Sequence, residues 1–256
     1  MGQLSGKVAI ITGSSGGIGR TTALAFAREG ADVVIHYRSK ESEAKELIEK
    51  ITEIGRKALL ARVDFDDVYH AEVEVQKLVD LTIKELNRID VLVNLAGYPA
   101  RGEWNKKLFQ ITAEDFFKPI NVDLFGAFLC ARAVAPHMKR QEKGVIINVS
   151  STPALAGHDK GFAFTVAKAA IIGLTKALAF ELAPFVRVNT VALGNIETSW
   201  THELNSDELS AARDENLIRR FGSKEEIANA LIFLCSDNSS FINGQTIVMD
   251  GGTVLH

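Results

Sequence analysis

The stretch Thr12–Gly19 reads TGSSGGIG, directly after the apolar run KVAII and directly before RTTALAFAREG, which has a helical pattern. A strand that breaks into glycines and continues as a helix directs several backbone N–H groups, and the positive end of the helix dipole, at one point. Gly13 allows the tight turn, Gly17 lets a pyrophosphate approach the backbone, and Gly19 lets helix and strand pack closely. The stretch therefore predicts a dinucleotide-binding protein.

Short apolar runs alternate with longer helical patterns along the whole chain. Most runs are continuously apolar, which is typical of parallel strands covered by helices on both faces. The predicted strands are Val8–Ile11, Asp32–Ile35, Lys57–Val63, Val91–Asn94, Val145–Val149, Val186–Val191 and Thr246–Met249. The predicted helices lie near Gly17–Glu29, Glu41–Ile54, Tyr69–Leu86, Ala113–Met138, Phe162–Ala183 and Lys224–Cys235. The fold class is α/β: one doubly wound, Rossmann-type domain over residues 1–256, with a mostly parallel seven-stranded sheet.

Composition limits the function classes. A formal net charge of -3 gives no electrostatic reason to expect nucleic acid or an anionic membrane as partner. Met1–Gly6 is too short and polar for a signal peptide, and no run approaches transmembrane length. Cys130 and Cys235 stand inside apolar helical patterns, so we expect buried, reduced thiols and a cytoplasmic location. Histidine and cysteine spacings predict no metal site.

Further polar motifs follow the predicted strands in a fixed order. Asp64 ends the third strand and Asn94-Leu95-Ala96-Gly97 ends the fourth. Later come Asn121 in INVDLFGAF, Ser150-Ser151, Lys168 in FTVAKAA, Leu193-Gly194 with Ile196 and Thr198, and Asp250-Gly251-Gly252. In this order and spacing the set resembles the short-chain dehydrogenase/reductase family over essentially the whole chain. Residues 221–252 are especially similar to its 3-oxoacyl-carrier-protein reductase and glucose dehydrogenase branch.

The resemblance implies roles for these residues. Ser151 would hydrogen-bond a substrate carbonyl, and Asn121 would help hold a water that communicates with Lys168. Asp64 would hold the adenine, Asn94 to Gly97 would line the ribose side, and Ile196 and Thr198 would contact the carboxamide. The full cofactor-binding set is Gly13, Ser15, Gly17, Ile18, Gly19, Tyr37, Arg38, Ser39, Asp64, Asn94, Ala96, Gly97, Lys168, Ile196 and Thr198.

The family's general acid is a tyrosine four residues before the lysine, and this chain has Phe164 at that position. General acid–base catalysis contributes about 10²–10⁴-fold to rate. We therefore expect cofactor binding to persist while hydride transfer to a carbonyl is impaired. Phe164 could be an engineered change, a natural loss of turnover, or a sign of another proton donor. The candidate donors are Tyr98 and His158, although a pocket wall and a solvated loop histidine are the plainer interpretations.

The end of the second strand, VVIHYRSK, bears on cofactor choice. Tyr37 stands where NAD-specific relatives have aspartate, and it could flank the adenine. Arg38 and Ser39 suit a 2′-phosphate, unless Arg38 merely points to solvent. NADP(H) is favoured, with NAD(H) as the alternative.

Three other features carry expectations. Leu193 replaces the family's usual proline, which predicts a looser loop. Pro119 should kink its helix, which either exposes carbonyls that hold water near Asn121 or is a tolerated kink without a function. Phe162–Ala183 is apolar almost all round, which favours a homo-oligomer, either dimer or tetramer, over burial within one chain. Residues 195–221 form a predicted substrate lid, with Trp200 and Leu204 as pocket walls.

Two functions remain open. The first is an NADP(H)-dependent reductase or dehydrogenase acting on a small-molecule carbonyl or secondary alcohol. The second is a dinucleotide-binding sensor or inactive subunit.

Overall fold

Seven parallel strands form one sheet in the computed structural model, which describes residues 2–100 and 102–255. Met1 and His256, the ends of the predicted domain, and Arg101 lie outside the described residues. The strand order is β3-β2-β1-β4-β5-β6-β7. The strands are β1 (Val8–Thr12), β2 (Asp32–Tyr37), β3 (Ala58–Arg62), β4 (Val91–Asn94), β5 (Gly144–Ser151), β6 (Val186–Leu193) and β7 (Thr246–Met249). All seven predicted strands are confirmed.

Helices cover both faces of the sheet, as the continuously apolar strands require. They are α1 (Gly17–Arg28), α2 (Glu41–Glu53), α3 (Ala71–Leu86), α4 (Ala113–Pro119), α5 (Gly126–Arg140), α6 (Pro153–Ala156), α7 (Phe162–Leu182), α8 (Ser206–Asp214) and α9 (Lys224–Cys235). Alternate strand residues enter different cores, because successive side chains point to opposite faces. Ile11 and Ile35 pack with α1, α2 and α9, whereas Ile10 and Val34 pack with α3, α5 and α7.

The predicted helix Ala113–Met138 is not one continuous α-helix. It divides into α4, a π-helical segment (Ile120–Phe125) and α5, and the segment begins directly after Pro119. Proline has no N–H to donate and cannot continue the hydrogen-bond ladder. The Gly126 N–H donates to the carbonyl of Asn121, five residues earlier, instead. The irregularity expected at Pro119 is therefore a change of helix type.

One described helix, α7, is long and apolar enough to cross a membrane by length and composition alone. The expectation that no run approaches that length was wrong. In the fold α7 packs against β5 and β6 and buries Ala163, Ala167 and Ile171. Packing within the domain therefore accounts for part of its apolar character, because Phe162, Val166 and Phe180 on the same helix stay exposed.

The order of strands reverses between β1 and β4, which are neighbours in the sheet. In open α/β sheets, ligands bind in the crevice outside the carboxyl ends of the strands at such a switch point. The glycine-rich loop after β1 and the Asn94–Gly97 segment after β4 both start at this edge.

Candidate active site

The glycine-rich loop has the close backbone packing that its sequence predicts. Gly13 has a φ of 69°, and a Cβ on it would lie 2.9 Å from the backbone of Ala96. A Cβ on Gly19 would lie 2.3 Å from the Gly13 carbonyl oxygen, so only glycine fits there. The loop thus keeps a helix N-terminus, with its unpaired N–H groups, at the mouth of the switch point.

A buried histidine that the sequence analysis missed holds this loop in place. His36 Nδ1 accepts the Gly13 N–H at 2.8 Å, and its Nε2 lies 3.0 Å from the Val63 carbonyl oxygen. Burial lowers the pKa of the His36 imidazole to about 4. The ring is therefore neutral at neutral pH, with its proton on Nε2, and links the turn after β1 to the end of β3.

A cleft of about 310 Å³ lies between this loop and the ends of β2 and β4. Among the predicted cofactor residues, its lining includes Gly13, Ser15, Gly17, Arg38, Ser39, Asp64, Ala96 and Gly97. Lys40 also lines it, although it begins the charge-rich stretch Lys40–Lys50, whose pattern by itself predicts a solvated helix face. Lys40 Nζ lies 3.9 Å from where a Cβ on Gly16 would be. Arg38, Lys40 and the Ser39 hydroxyl therefore bring hydrogen-bond donors to a glycine-lined cleft, where they could contact a phosphate group.

Several predicted cofactor residues do not line this cleft. Tyr37 packs against the hydrophobic core, because it points to the opposite side of β2 from His36 and Arg38. Ile18 also packs against the core. Ile196 is buried and lines a separate small cavity. Thr198 does not line the cleft, but its neighbour Ser199 does.

Asn94 is a further correction, since its side chain lies within the protein. Its Nδ2 donates to Asn148 Oδ1 at 2.8 Å, and Asn148 Nδ2 donates to Thr175 Oγ1 at 2.8 Å. The hydroxyls of Thr175 and Thr190 continue this chain at 2.6 Å. Asn94 therefore ties β4, β5 and α7 together below the cleft, rather than lining it.

A larger cavity, of about 520 Å³, adjoins the cleft, and Pro99 lines both. Ser151, Phe164, His158, Trp200 and Leu204 line its walls, so the predicted pocket residues are brought together. The Ser151 hydroxyl donates to the Leu193 carbonyl at 3.0 Å, so this proton must rotate toward the cavity before it can be donated to a substrate carbonyl. Trp104 also lines this cavity and contacts two of these residues.

Trp104 has ring contacts with two of the wall residues. The Trp104 centroid lies 5.4 Å from that of His158 and 5.6 Å from that of Phe164. Gly161, at the start of α7, leaves room for it, because a Cβ there would lie 2.3 Å from the indole. The Trp104 carbonyl also accepts the Gly161 N–H at 2.8 Å. Sequence reasoning did not single out Trp104, since nothing in its local pattern marks it.

Lys168 lies behind Phe164, outside the cavity lining. Its Nζ donates to the Val149 carbonyl at 3.0 Å and lies 5.6 Å from the centre of the Phe164 ring. Phe164 itself faces the cavity. Lys168 Nζ also lies 3.8 Å from where a Cβ on Gly97 would be, so the ammonium group is close to the cleft that Gly97 lines. A ring without a hydroxyl stands where the family tyrosine would present one.

Asp123, and not the predicted Asn121, is the partner of Lys168. Asp123 Oδ2 lies 3.4 Å from Lys168 Nζ, and Oδ1 accepts the Tyr98 N–H at 2.6 Å. Burial raises the pKa of the Asp123 carboxyl, and Lys168 opposes that rise. Asn121 lies two residues earlier in the same π-helical segment. The water expected between Asn121 and Lys168 stays a prediction.

The two candidate proton donors have different surroundings. The Tyr98 hydroxyl donates to Glu103 Oε1 at 2.7 Å, and burial with this contact raises its pKa to about 12. Tyr98 lines the cleft rather than the larger cavity. His158 does line the cavity, and its Nδ1 accepts the Lys160 N–H at 3.1 Å. The neutral ring then carries its proton on Nε2.

Within residues 2–100 and 102–255, no group of three His, Cys, Asp or Glu side chains could hold a metal ion. Cys130 and Cys235 are free and buried, as expected, and burial raises the pKa of both thiols to about 12.

Comparisons with known proteins agree with this geometry. The sequence model of a family described as enoyl-(acyl carrier protein) reductase matches residues 13–254. A 3-oxoacyl-[acyl-carrier-protein] reductase, FabG, of Thermotoga maritima is 38% identical over 99% of this chain and 100% of its own length. The BbsD subunit of a (2S)-[(R)-hydroxy(phenyl)methyl]succinyl-CoA dehydrogenase from Thauera aromatica is 36% identical, over 98% of each chain. A solved structure provisionally described as a short-chain alcohol dehydrogenase, from Sinorhizobium meliloti, has a TM-score of 0.89 at 32% identity, covering 98% of this chain and 97% of its own.

Proposed function

The chain belongs to the short-chain dehydrogenase/reductase family of oxidoreductases, in the branch of the 3-oxoacyl-carrier-protein reductases, and we propose that it uses NADP(H) on a small-molecule carbonyl or secondary alcohol. The observation that carries the proposal is the junction of two cavities at Pro99. The first is a glycine-lined cleft with cations at one end, and the second contains Ser151 and Phe164. A nicotinamide cofactor supplies the hydride when bound.

The basic end of the cleft supports NADP(H) over NAD(H). Arg38, Ser39 and Lys40 follow β2 directly and line the cleft beside the glycine-rich loop. Charge-assisted hydrogen bonds from these groups suit a 2′-phosphate, whereas an acidic residue there would accept from a 2′-hydroxyl. Asp64 lines the same cleft at the end of β3 and is our candidate for the adenine contact.

The chain's own residues can bind a carbonyl substrate, but the residue at the family's proton-donor position cannot donate a proton. Ser151 lines the cavity, and its hydroxyl can hydrogen-bond a substrate carbonyl only by rotating its proton away from the Leu193 carbonyl. The Lys168–Asp123 pair lies outside the cavity lining. Phe164 has no proton to donate, so we expect proton transfer to the developing alkoxide to limit the rate. We propose that turnover on simple carbonyls is about 10²–10⁴-fold below that of a tyrosine-bearing site.

Phe164 also favours the second candidate, a dinucleotide sensor without turnover. Phe164 does not line the cofactor cleft, so the absence of a hydroxyl at position 164 should not prevent cofactor binding. The protein could therefore bind the cofactor without reducing a substrate. The buried thiols accord with a cytoplasmic location for either candidate.

The deciding experiment compares the natural chain with Phe164→Tyr on one panel of ketones and aldehydes, measuring NADPH oxidation and NADPH binding. We expect equal NADPH affinity and a gain in kcat/KM of about 100-fold or more for the tyrosine variant. Binding by both proteins without turnover by either would favour the sensor.

We further propose that the protein assembles into a homodimer or homotetramer. Phe180 on α7 is 89% exposed, and Phe162 and Val166 on the same helix are exposed as well. A second apolar area includes Phe233 on α9 and Phe241, on the far side of the sheet from α7. Two separate self-complementary patches would generate a tetramer with three twofold axes.

A further inference from the structure

We propose that the preferred hydride acceptor of this site is a preformed iminium cation with an aromatic or alicyclic body. The inference rests on the proposed function, because it uses the same cleft and the same hydride. In this step the hydride adds to the carbon of the C=N⁺ group, and the π electron pair moves onto nitrogen. The product is a neutral amine, the dihydronicotinamide is oxidised, and no proton is transferred.

The first support is the lack of a hydroxyl donor where reduction of a carbonyl needs one. A ketone becomes an alkoxide on hydride addition and requires a proton in the same step. Phe164 supplies none, and the Ser151 proton is directed to the Leu193 carbonyl. Lys168 does not line the cavity, and its Nζ donates to the Val149 carbonyl. An iminium acceptor has no such requirement, so the phenylalanine is no handicap for it.

The second support is the charge beneath the ring. A lone Lys168 ammonium would repel a cationic acceptor placed over Phe164 through a medium of low dielectric. Asp123 Oδ2, at 3.4 Å in the buried pair, supplies the compensating negative charge. The Lys168–Asp123 pair therefore presents no net positive charge to the cavity.

The third support is the lining of the cavity itself. Trp104, Phe164 and Trp200 line it, and cations are attracted to the faces of aromatic rings, to tryptophan most strongly. Glu208 and Glu215 line the same cavity, and no lysine or arginine does among the described residues. Glu208 accepts the Asn205 N–H at 3.0 Å and Glu215 accepts Asn195 Nδ2 at 2.7 Å. Both donors are neutral amide groups, so neither contact is an ion pair.

The experiment uses the NADPH-loaded protein and two bicyclic probes of similar size, the 2-methyl-3,4-dihydroisoquinolinium ion and the neutral ketone 1-tetralone. NADPH oxidation is followed from pH 6 to 9, with the protein-free rate subtracted. We expect kcat/KM for the iminium to exceed that for the ketone by about 100-fold, the lower end of general-acid contributions. We also expect the iminium rate to be flat with pH, because no proton enters its reaction.

Two sets of variants sharpen the test. Phe164→Tyr should lower the iminium-to-ketone ratio by about 100-fold, by raising ketone reduction. The double variant Glu208→Gln and Glu215→Gln should raise the KM for the iminium several-fold and leave that for the ketone unmoved. Glu49→Gln, which removes an exposed carboxylate on α2 away from the cavity, is the matched control.

The outcomes separate the inference from the function on which it rests. If Phe164→Tyr reduces the ketone while neither protein reduces the iminium, the function stands and the iminium assignment is wrong. If the natural chain reduces the ketone as fast as the iminium, and His158→Gln abolishes only the ketone reaction, His158 is the proton donor and the assignment is also wrong. If neither protein reduces either probe despite binding NADPH, both proposals fail.

Discussion

Lys168 Nζ lies 3.4 Å from Asp123 Oδ2, behind the ring of Phe164, in a pair that is almost entirely excluded from solvent. A buried carboxylate loses hydration, which raises its pKa, and the adjacent ammonium offsets part of that loss. The pair joins the π-helical segment after Pro119 to α7, so it fixes the position of Lys168 relative to the cleft. Its electrostatic effect also decides how a tyrosine at position 164 would behave.

In the Phe164→Tyr variant, we expect the phenol to have a higher pKa than a phenol beside a lysine without a paired carboxylate. A lysine charge lowers the pKa of a neighbouring phenol, but the Asp123 carboxylate cancels much of that field. Adding Asp123→Asn to Phe164→Tyr should therefore lower the apparent pKa of secondary-alcohol oxidation by about one unit. The measurement is kcat/KM against pH from 6 to 10 for both proteins. Coincident profiles would show that Asp123 does not influence the phenol.

The basic end of the cleft gives a prediction about cofactor choice. Arg38→Leu and Lys40→Leu should each weaken NADPH binding by roughly 10-fold or more, because a charge-assisted hydrogen bond contributes about 1.5–3 kcal/mol. NADH binding should change little, since that cofactor has no 2′-phosphate. Fluorescence titration of both cofactors measures the ratio. Lys45→Leu, on the exposed part of α2, is the control, and equal losses for NADPH and NADH would contradict the assignment.

The fold was predictable because each strand is an apolar run that must be covered on two faces, and every such run in the chain forms a strand. The glycine-rich loop and the polar residues at strand ends followed from the geometry of parallel sheets. The core position of Tyr37 and the pairing of Lys168 with Asp123 were not expected, and both depend on side-chain direction. A shift of one residue in a strand, or two in a helix, moves a side chain to the opposite side.

His36 and Lys40 were missed for a different reason. His36 acts through contacts with Gly13 and Val63, which are distant in sequence. Lys40 begins a charged helix, where most side chains are solvated, and only the three-dimensional structure shows it turned toward Gly16. Neither position has a local signal in a single sequence.

The neutral state of His36 predicts a loss of stability in weak acid. Its pKa is about 4 in the folded protein and 6.5 in the reference state, so between these values the unfolded chain binds more protons. Stability from this group is complete above pH 6.5 and is lost as pH falls toward 4. Between pH 7.5 and 5, the natural chain should lose about 2 kcal/mol more unfolding free energy than His36→Gln.

Urea unfolding at the two pH values, on the natural chain and each variant, measures this difference. His202→Gln, at an exposed position, should retain the natural pH dependence. If His36→Gln loses as much stability in acid as the natural chain, the imidazole is not the responsible group.

The exposed face of α7 leads to the last prediction, which concerns assembly. Phe180 is 89% exposed on a helix whose other side is buried against the sheet. A single exposed phenylalanine is common on protein surfaces and would not by itself indicate an interface. Phe162 and Val166 extend the apolar surface along the same helix, and such a continuous face favours a covering partner. Phe180→Lys should place like charges together across a twofold axis, because each copy contributes the same residue. Light scattering during size-exclusion chromatography should show an assembly for the natural chain and a smaller species for the variant.

Tyr69→Lys changes an equally exposed aromatic residue outside α7 and should leave the mass unchanged. A natural chain that elutes as a monomer, or a Phe180→Lys protein of unchanged mass, would show that this face of α7 is not the interface.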